Sequence, residues 1–522
     1  MLSWIDTVTI FASLALVIFA VTRASQKSAT GSEYFLAGRD LRWWFIGMSL
    51  FASNISAEHV LGMAGDGYRI GMVAGGYEWM SGWDLIMLAM LFAPLYLREK
   101  IYTIPEFLEG RFGWPLRAFL SANLLIINVF TKNAVDIWAG SLLFKALFGW
   151  NQVLVMIVLS AFTALYTMKG GLRAVVYADM VQGTWLIISS AFLTILGLKA
   201  VGGWSALVAA VPHASIQMVK PLTDDFPITG FLIANFLAGM FYWCMDQTNV
   251  QRVLGARSLE DGQRGAMFAG FLKLLVPFIL VLPGLIAKVL YPGLAPHYDL
   301  AYPHLVQGLL PVGLRGLVLA GLIAILMSSM SACYNSSATL VVKDFVLRFK
   351  PATAERTQVL IGRWVTVLMA VLGVLAAGLV GLSVTIWYYL QFISAYLSVP
   401  MAAVILTGLL WKKGNTKGAL GGLIVGFSLG IVFFLDQVLH WGLPVLSHPL
   451  LHSFMHRTLV VFVVAVIVMV IVSQITSQES EFGKAAKNVS GELTAPWTGI
   501  GDYRTWAVAL FICTCLLWYN FR

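Results

Sequence analysis

Polar and ionisable side chains interrupt an apolar run early in the chain. Asn54, Ser56, Glu58 and His59 fall within one short stretch, flanked by residues suited to a membrane helix. Such groups are costly at membrane depth and usually face a cavity or a partner. Ser and Asn side chains also loosen a helix, because they compete for its backbone hydrogen bonds. The stretch therefore predicts a broken helix that lines a binding site, with a helix end at the membrane surface as the simpler alternative.

Three more polar side chains lie in or at the start of apolar runs. Glu78 either caps a helix N-terminus, where the helix dipole favours an acid, or accepts hydrogen bonds from a ligand. Lys273 lies near the middle of its run, where it pairs with an acid or donates to a polar ligand. Gln391 offers both a donor and an acceptor.

Aromatic residues accompany these polar groups. They are Tyr77, Tyr242, Trp243 and Trp387, and each of them also lies in an apolar run. A pyranose needs many hydrogen bonds and has an apolar face that packs on an aromatic ring. The combination favours a sugar or polyol over an amino acid, which would require recognition of charged groups.

The apolar run at 312–342 carries a dense set of hydroxyl and amide side chains, namely Ser328, Ser329, Ser331, Tyr334, Asn335, Ser336 and Ser337. Serines of this kind pack helices together or bond back to their own backbone. Alternatively, their oxygens bind a hard monovalent cation without adding fixed charge. Asp179 begins another run near the cytoplasm, where it caps a helix or receives the ion as it leaves.

The composition is that of a polytopic membrane protein. The 522 residues are 59% hydrophobic and 11% charged, against about 25% charged in soluble domains. The net charge of +9 is spread over short loops, so no soluble domain is available to bind nucleic acid. The four cysteines have neither zinc nor disulfide spacing. No serine-hydrolase, metalloprotease or phosphate-loop motif indicates an enzyme.

The hydropathy pattern predicts an all-α protein with fourteen transmembrane helices in a single domain that covers 1–522. The predicted spans are 3–22, 43–63, 77–96, 118–147, 151–167, 177–199, 228–246, 267–290, 312–342, 359–380, 384–410, 418–437, 457–474 and 504–521. Two sets of five spans, about 43–199 and about 228–410, have opposite orientation, and each begins with a helix that is polar in its middle. This pattern is typical of inverted repeats in transporters, here with one helix before the repeats and three after.

Basic residues predict the orientation in the cell membrane. Of the 34 Lys and Arg residues, 24 lie in every second loop, beginning with the first. The positive-inside rule makes these loops cytoplasmic, so both termini are predicted to lie outside. Tyr102–Trp114 is predicted as a short interfacial helix, and Ser477–Tyr503 as a flexible cytoplasmic linker.

Seven motifs in this chain resemble those of the solute:sodium symporter family, in particular its sodium/glucose and sodium/galactose cotransporters. They lie in order between Tyr34 and Lys417: F-A-S-N-I-S-A-E-H-V-L-G-M-A-G-D-G-Y, G-G-Y-E-W-M, Y-T-I-P-E-F-L, K-G-G-L-R-A-V-V-Y-A-D-M-V-Q, Y-W-C-M-D-Q, F-L-K-L-L-V-P-F and S-S-M-S-A-C-Y-N-S-S-A-T-L. The resemblance implies a leucine-transporter-like fold with a 5+5 inverted repeat. It also implies alternating access driven by a sodium gradient.

The resemblance further implies roles for individual residues. A sodium site would use Ala52, Ile55, Ile325, Ser328 and Ser329, the first three through backbone carbonyls. Sugar contacts would come from Asn54, His59, Glu78, Ser81, Lys273 and Gln391. Tyr242 would form the inner gate, and Met63, Tyr77 and Trp387 would close above the sugar. A second sodium ion, or the exit of the first, would involve Asp179 and Ser331.

Two positions depart from the pattern of the bacterial galactose transporter: His59 replaces a Gln and matches the animal sugar transporters, and Gly239 replaces a sugar-contacting Asn. Ala332 lacks one of the hydroxyls that a second sodium site uses in some members of the family. We expect a sodium-coupled importer of a glucose- or galactose-like hexose, with the sugar, stoichiometry and oligomeric state left open. The alternatives are a symporter for myo-inositol or a sugar acid and, more remotely, a non-transporting solute sensor. Glu58 has no predicted role.

Overall fold

The computed structural model describes residues 3–24, 31–382, 385–439, 441–442, 448–476, 497, 499 and 501–522. Within these residues every regular element is a helix, apart from one isolated bridge between Leu41 and Ala256. Most of the predicted linker at Ser477–Tyr503 lies outside the described residues.

The first half of the chain forms eleven α-helices, and short π-helical segments join several of them. They are α1 (Trp4–Ala24), α2 (Gly31–Leu36), α3 (Trp43–Asn54), α4 (Ala64–Ile70), α5 (Gly76–Met87), α6 (Ala93–Glu99), α7 (Ile104–Phe112), α8 (Trp114–Ile127), α9 (Ala134–Phe148), α10 (Gln152–Val201) and α11 (Trp204–Ala210).

The second half continues in the same way. It contains α12 (Phe236–Cys244), α13 (Gln247–Leu254), α14 (Leu259–Lys273), α15 (Leu282–Leu290), α16 (Ala301–Leu309), α17 (Leu314–Leu340), α18 (Leu347–Phe349), α19 (Glu355–Ala377), α20 (Ile386–Leu410), α21 (Thr416–Leu439), α22 (Phe454–Thr476) and α23 (Tyr503–Asn520).

The predicted apolar spans fall on these helices, and the all-helical, multi-span prediction is confirmed. Nine helices of the described part are long and apolar enough to cross a membrane, and two shorter apolar helices, Gln152–Met168 and Gly230–Cys244, accompany them. The count of fourteen spans and the two sets of five stay predictions. The fifth and sixth predicted spans join within α10 across a kink at Gly171, whose φ of +57° suits glycine.

The helix predicted to be broken is broken. The α3 helix ends at Asn54, and Ile55 has the extended angles φ −89° and ψ 124°. The chain then turns through the π-helix His59–Met63 into α4. A second break, between α12 and α13, lies in the other predicted polar helix, where the Asp246 side chain accepts a hydrogen bond from Thr248 N at 2.8 Å.

Helix packing brings both breaks to one region. The α3 helix packs against α10, α14 and α17, while α12 packs against α5 and α20. The segment predicted as a short interfacial helix is helical as α7, which begins with a capping box between Thr103 and Glu106, and its place at the membrane surface stays a prediction. These contacts determine which side chains meet between the two broken helices.

Candidate functional site

A cavity lies between α3, α5, α12 and α20. Eight residues with a predicted sugar-binding or gating role line it, namely Asn54, His59, Tyr77, Glu78, Ser81, Tyr242, Trp387 and Gln391. Lys273 lies behind this wall and contacts two of the lining residues, and Met63 is buried in the π-helix before α4. The fold therefore gathers residues that are more than 300 positions apart in the sequence.

A chain of polar contacts crosses one side of the cavity. The ammonium of Lys273, which is fully buried, lies 2.5 Å from Glu78 Oε2 and also donates to Asn54 Oδ1. Asn54 Nδ2 in turn donates to the Tyr242 hydroxyl at 2.7 Å. Glu78 thus pairs with a lysine, and this network connects α3, α5, α12 and α14.

His59 lies between this network and the top of the cavity. Its Nε2 is 3.6 Å from Glu78 Oε1, and its ring centroid is 4.7 Å from that of Trp387. Glu58, for which the sequence predicted no role, has Oε1 3.4 Å from His59 Nδ1 and contacts Asp136 of α9. Asp136 was not among the predicted site residues.

Aromatic rings close the top of the cavity. Trp387 is 2% exposed, and its ring centroid lies 5.7 Å from that of Tyr77 in an edge-to-face contact. The Tyr77 hydroxyl and Trp387 Nε1 are buried without a hydrogen-bond partner in the described part of the chain. Unsatisfied buried donors are costly, so these two groups suit a cavity that takes a polar ligand.

An ion pair lies at the opposite end of the cavity. Lys132 Nζ is 2.7 Å from Asp246 Oδ2 and 5.0 Å from the ring centroid of Tyr242, the predicted inner gate. Sequence reasoning assigned no role to this pair. The available signal was the presence of Lys132 inside an apolar span, where ionisable residues usually have functional partners.

The predicted sodium ligands lie where the end of α3 meets α17. Ala52 and Ile55 are buried at the helix break, and Ile325, Ser328 and Ser329 are buried on α17, which packs against α3. Asp136 bonds to the hydroxyls of Ser56 and Ser329 in the same region. These oxygens match the chemistry that a hard cation requires.

Asp179 does not line the cavity, and it contacts Ser328 of α17. It is fully buried inside α10, accepts hydrogen bonds from Ser49 and Ser328, and has Arg252 Nη2 at 3.6 Å. The suggestion that Asp179 caps a helix is wrong, because α10 runs continuously through this position. Ser331 Oγ donates to Ser328 O at 2.8 Å, so it lies beside this cluster.

A second polar cluster lies in α4 and at the start of α20. Asp66 Oδ1 accepts hydrogen bonds from Arg69 Nε at 3.0 Å and from Thr385 Oγ1 at 3.3 Å. In the loop before α16, Asp299 Oδ2 accepts a hydrogen bond from Ile386 N at 3.2 Å. Burial raises the pKa of Asp299 to about 7, and Asp66 contributes to the rise while the Ile386 amide and Arg69 oppose it.

Comparisons with known proteins identify the family to which this chain belongs. Residues 34–426 match the sequence model of the sodium:solute symporter family. The sodium/mannose cotransporter SLC5A10 of Bos taurus is 35% identical over 484 residues, which cover 84% of this chain and 80% of the relative. Sodium/myo-inositol cotransporter 2 of Sus scrofa is 36% identical over 80% of this chain and 67% of the relative. Sodium/glucose cotransporter 4 of Danio rerio is 34% identical over 80% of this chain and 69% of the relative.

Solved structures support the same fold. A sodium-coupled sialic acid symporter in a substrate-bound, outward-open state superposes with a TM-score of 0.80 at 21% identity, over 92% of this chain and 99% of that one. Mhp1, a nucleobase-cation-symport-1 family transporter in a closed conformation, superposes with a TM-score of 0.59 at 14% identity, over 89% of this chain and 99% of that one. The chain belongs to the sodium:solute symporter family, and it is a multi-pass membrane protein that couples the transport of a solute to sodium.

Proposed function

We propose that this symporter imports a hexose, with glucose and galactose as first candidates, and that another solute such as myo-inositol or a sugar acid is the alternative substrate. The observation that carries the proposal is the cavity, where the donors and acceptors of Asn54, His59, Glu78 and Gln391 face aromatic rings. Such a lining matches the hydroxyls and the apolar face of a six-membered ring. The relatives compared above are named as cotransporters of mannose, myo-inositol and glucose.

Coupling would follow from the two faces of the α3 break. Backbone carbonyls of Ala52 and Ile55 would hold sodium against Ser328 and Ser329, while Asn54 and His59 of the same stretch would bind sugar. Sodium would favour the outward-open state. Sugar would then bind, Met63, Tyr77 and Trp387 would close above it, and Tyr242 would open towards the cytoplasm. Both termini would lie outside the cell.

The test is uptake by proteoliposomes that contain the purified full-length chain. Labelled glucose, galactose, mannose, myo-inositol and a sugar acid are offered with and without an inward sodium gradient. We expect sodium-dependent accumulation of at least one neutral ring compound, and equal mutual effects of sodium and sugar on affinity, because binding linkage is reciprocal. Uptake that ignores the sodium gradient would refute the proposal.

Gln391→Glu should impair sugar uptake more than sodium binding. The change removes an amide donor at the cavity wall and adds a carboxylate, whereas the proposed sodium ligands lie on α3 and α17. A lost hydrogen bond and an added charge at the cavity wall together predict a rise of about tenfold or more in the sugar concentration for half-maximal uptake. Gln307→Glu on α16 is the matched control. A larger effect on sodium than on sugar would contradict this assignment.

External acid should slow uptake through Asp299. A carboxyl group whose pKa is about 7 in the packing around Asp66 and the Ile386 amide binds a proton more tightly there than in an open, hydrated arrangement of the same segments. Protonation therefore stabilises this packed arrangement as the pH falls through 7, and the effect vanishes at higher pH. Wild-type uptake should decrease between about pH 8 and about pH 6 outside.

Asp299→Asn removes the titrating group and should flatten this part of the pH profile. The measurement is the initial rate of uptake at fixed internal pH and varied external pH. Asp224→Asn, in the loop between α11 and α12, serves as the control. A variant at Asp299 that keeps the full wild-type pH profile would assign the effect to another group.

A further inference from the structure

Asp84 is a cavity residue to which the proposed transport function assigns no role. It lies on α5 three and six positions after Ser81 and Glu78, and all three residues line the cavity. This spacing places them along one side of the helix. The side chain of Asp84 is 1% exposed, and neither carboxylate oxygen has a hydrogen-bond partner within the described residues.

The other acids near the cavity are differently placed. Glu78 has Lys273 at 2.5 Å and Asp246 has Lys132 at 2.7 Å. Glu58 and Asp136 contact each other. Asp84 has no basic partner within 4 Å among the described residues. Burying a charge without a partner is costly, so buried acids normally pair with a cation or a set of donors.

The local packing leaves room for the Asp84 carboxylate but gives it no hydrogen-bond donor. A side chain at Gly239 of α12 would collide with Asp84 Oδ2, so the glycine allows the acid to lie between α5 and α12 at the cavity wall. The nearby Cys244 Sγ donates to the backbone oxygen of Asp84 at 3.5 Å and not to its carboxylate. Asp84 lines the cavity, so a ligand in the cavity is placed to supply the hydrogen-bond donor that the surrounding side chains do not.

We propose that Asp84 is a further substrate-binding residue that pairs with a positively charged amino group on the sugar or polyol. An ammonium group supplies both the charge and the hydrogen-bond donors that the carboxylate lacks. The negative charge of the Asp84 carboxylate would repel the carboxylate of a sugar acid and so disfavour its binding. This inference rests on the proposed function, because it concerns which ring compound the cavity prefers.

The experiment compares matched competitors for uptake of the labelled neutral sugar that the substrate panel identifies. The competitors are derivatives of that sugar with one hydroxyl at a time replaced by an amino group, at a pH where the amine is protonated. The N-acetyl form of each is the neutral control. In the wild type, at least one amino derivative should compete about tenfold or more better than its neutral parent, the expected scale for a buried charge-assisted pair.

Asp84→Asn should remove that advantage, because the amide keeps the shape of the side chain and loses the charge. Asp261→Asn, another buried aspartate that lies outside the cavity, should keep it. If Asp84→Asn does not fold, Gly239→Ala provides a second variant, since the added methyl group must displace the carboxylate.

The outcomes separate the two proposals. Sodium-driven uptake of a neutral sugar with no preference for any amino derivative would overturn the role of Asp84 and leave the proposed function intact. An amine preference that persists in Asp84→Asn would also overturn it. Absence of sodium-driven uptake for every sugar of the panel would overturn the proposed function itself.

Discussion

Replacing Lys273 with alanine should abolish sugar uptake. The Lys273 ammonium is fully buried, lies 2.5 Å from Glu78 Oε2 and donates to Asn54 Oδ1. Its removal leaves Glu78 as an uncompensated buried charge and frees Asn54 from the position that contacts Tyr242. Breaking a buried ion pair costs about 3–5 kcal/mol. Because this pair belongs to the proposed sugar site, sugar affinity should fall by about a hundredfold or more.

Two further variants separate a binding defect from a folding defect. Lys199→Ala, at the exposed end of α10, is the matched control and should transport normally. The double variant Lys273→Met with Glu78→Gln removes both charges, so it should recover the yield of monodisperse protein without recovering uptake. Near-normal sugar affinity in Lys273→Ala would show that this network does not hold the substrate.

The second large effect is expected on the sodium dependence of uptake. Ser329→Ala removes a hydroxyl that lines the cavity, contacts Asp136 and belongs to the proposed sodium site. An oxygen that contacts a charged group contributes about 1.5–3 kcal/mol. The sodium concentration for half-maximal uptake should therefore rise by about tenfold or more. The measurement is the sodium dependence of initial uptake at saturating sugar.

Ser337→Ala is the matched control for this variant. It lies two turns further along α17 and accepts a hydrogen bond from Asn128 Nδ2 at 2.9 Å, away from the proposed ligands. Because linkage is reciprocal, Ser329→Ala should also weaken the enhancement of sugar binding by sodium. An unchanged sodium dependence in Ser329→Ala, with normal insertion, would remove Ser329 from the sodium site.

These two predictions concern neighbouring parts of one broken helix. Asn54 lies in the Lys273 network on the cavity side, and Ile55 follows it at the point where α3 becomes extended. A ligand that orders this short segment changes the geometry of both sides. The proximity gives a physical basis for coupling, because sodium and sugar would each stabilise the same local conformation.

Much of the architecture was predictable from sequence, because hydropathy and helix-breaking polarity are local properties. A run of about 20 apolar residues is long enough to span a bilayer wherever it occurs. The break after Asn54 followed from polar side chains that compete with the helix backbone. The motifs around His59 and Ser329 indicated the family, which the match over residues 34–426 confirms.

The partners of the buried charges depended on tertiary structure alone. Lys273 and Glu78 are 195 positions apart, and Asp179 and Ser328 are 149 apart. The sequence left open whether Lys273 pairs with an acid, suggested a cap for Asp179 and assigned no role to Asp84 or Lys132. Each of those answers depends on which helices pack side by side. Helix packing is a property of the whole bundle and not of any one stretch, whereas the break after Asn54 could be read from its own residues.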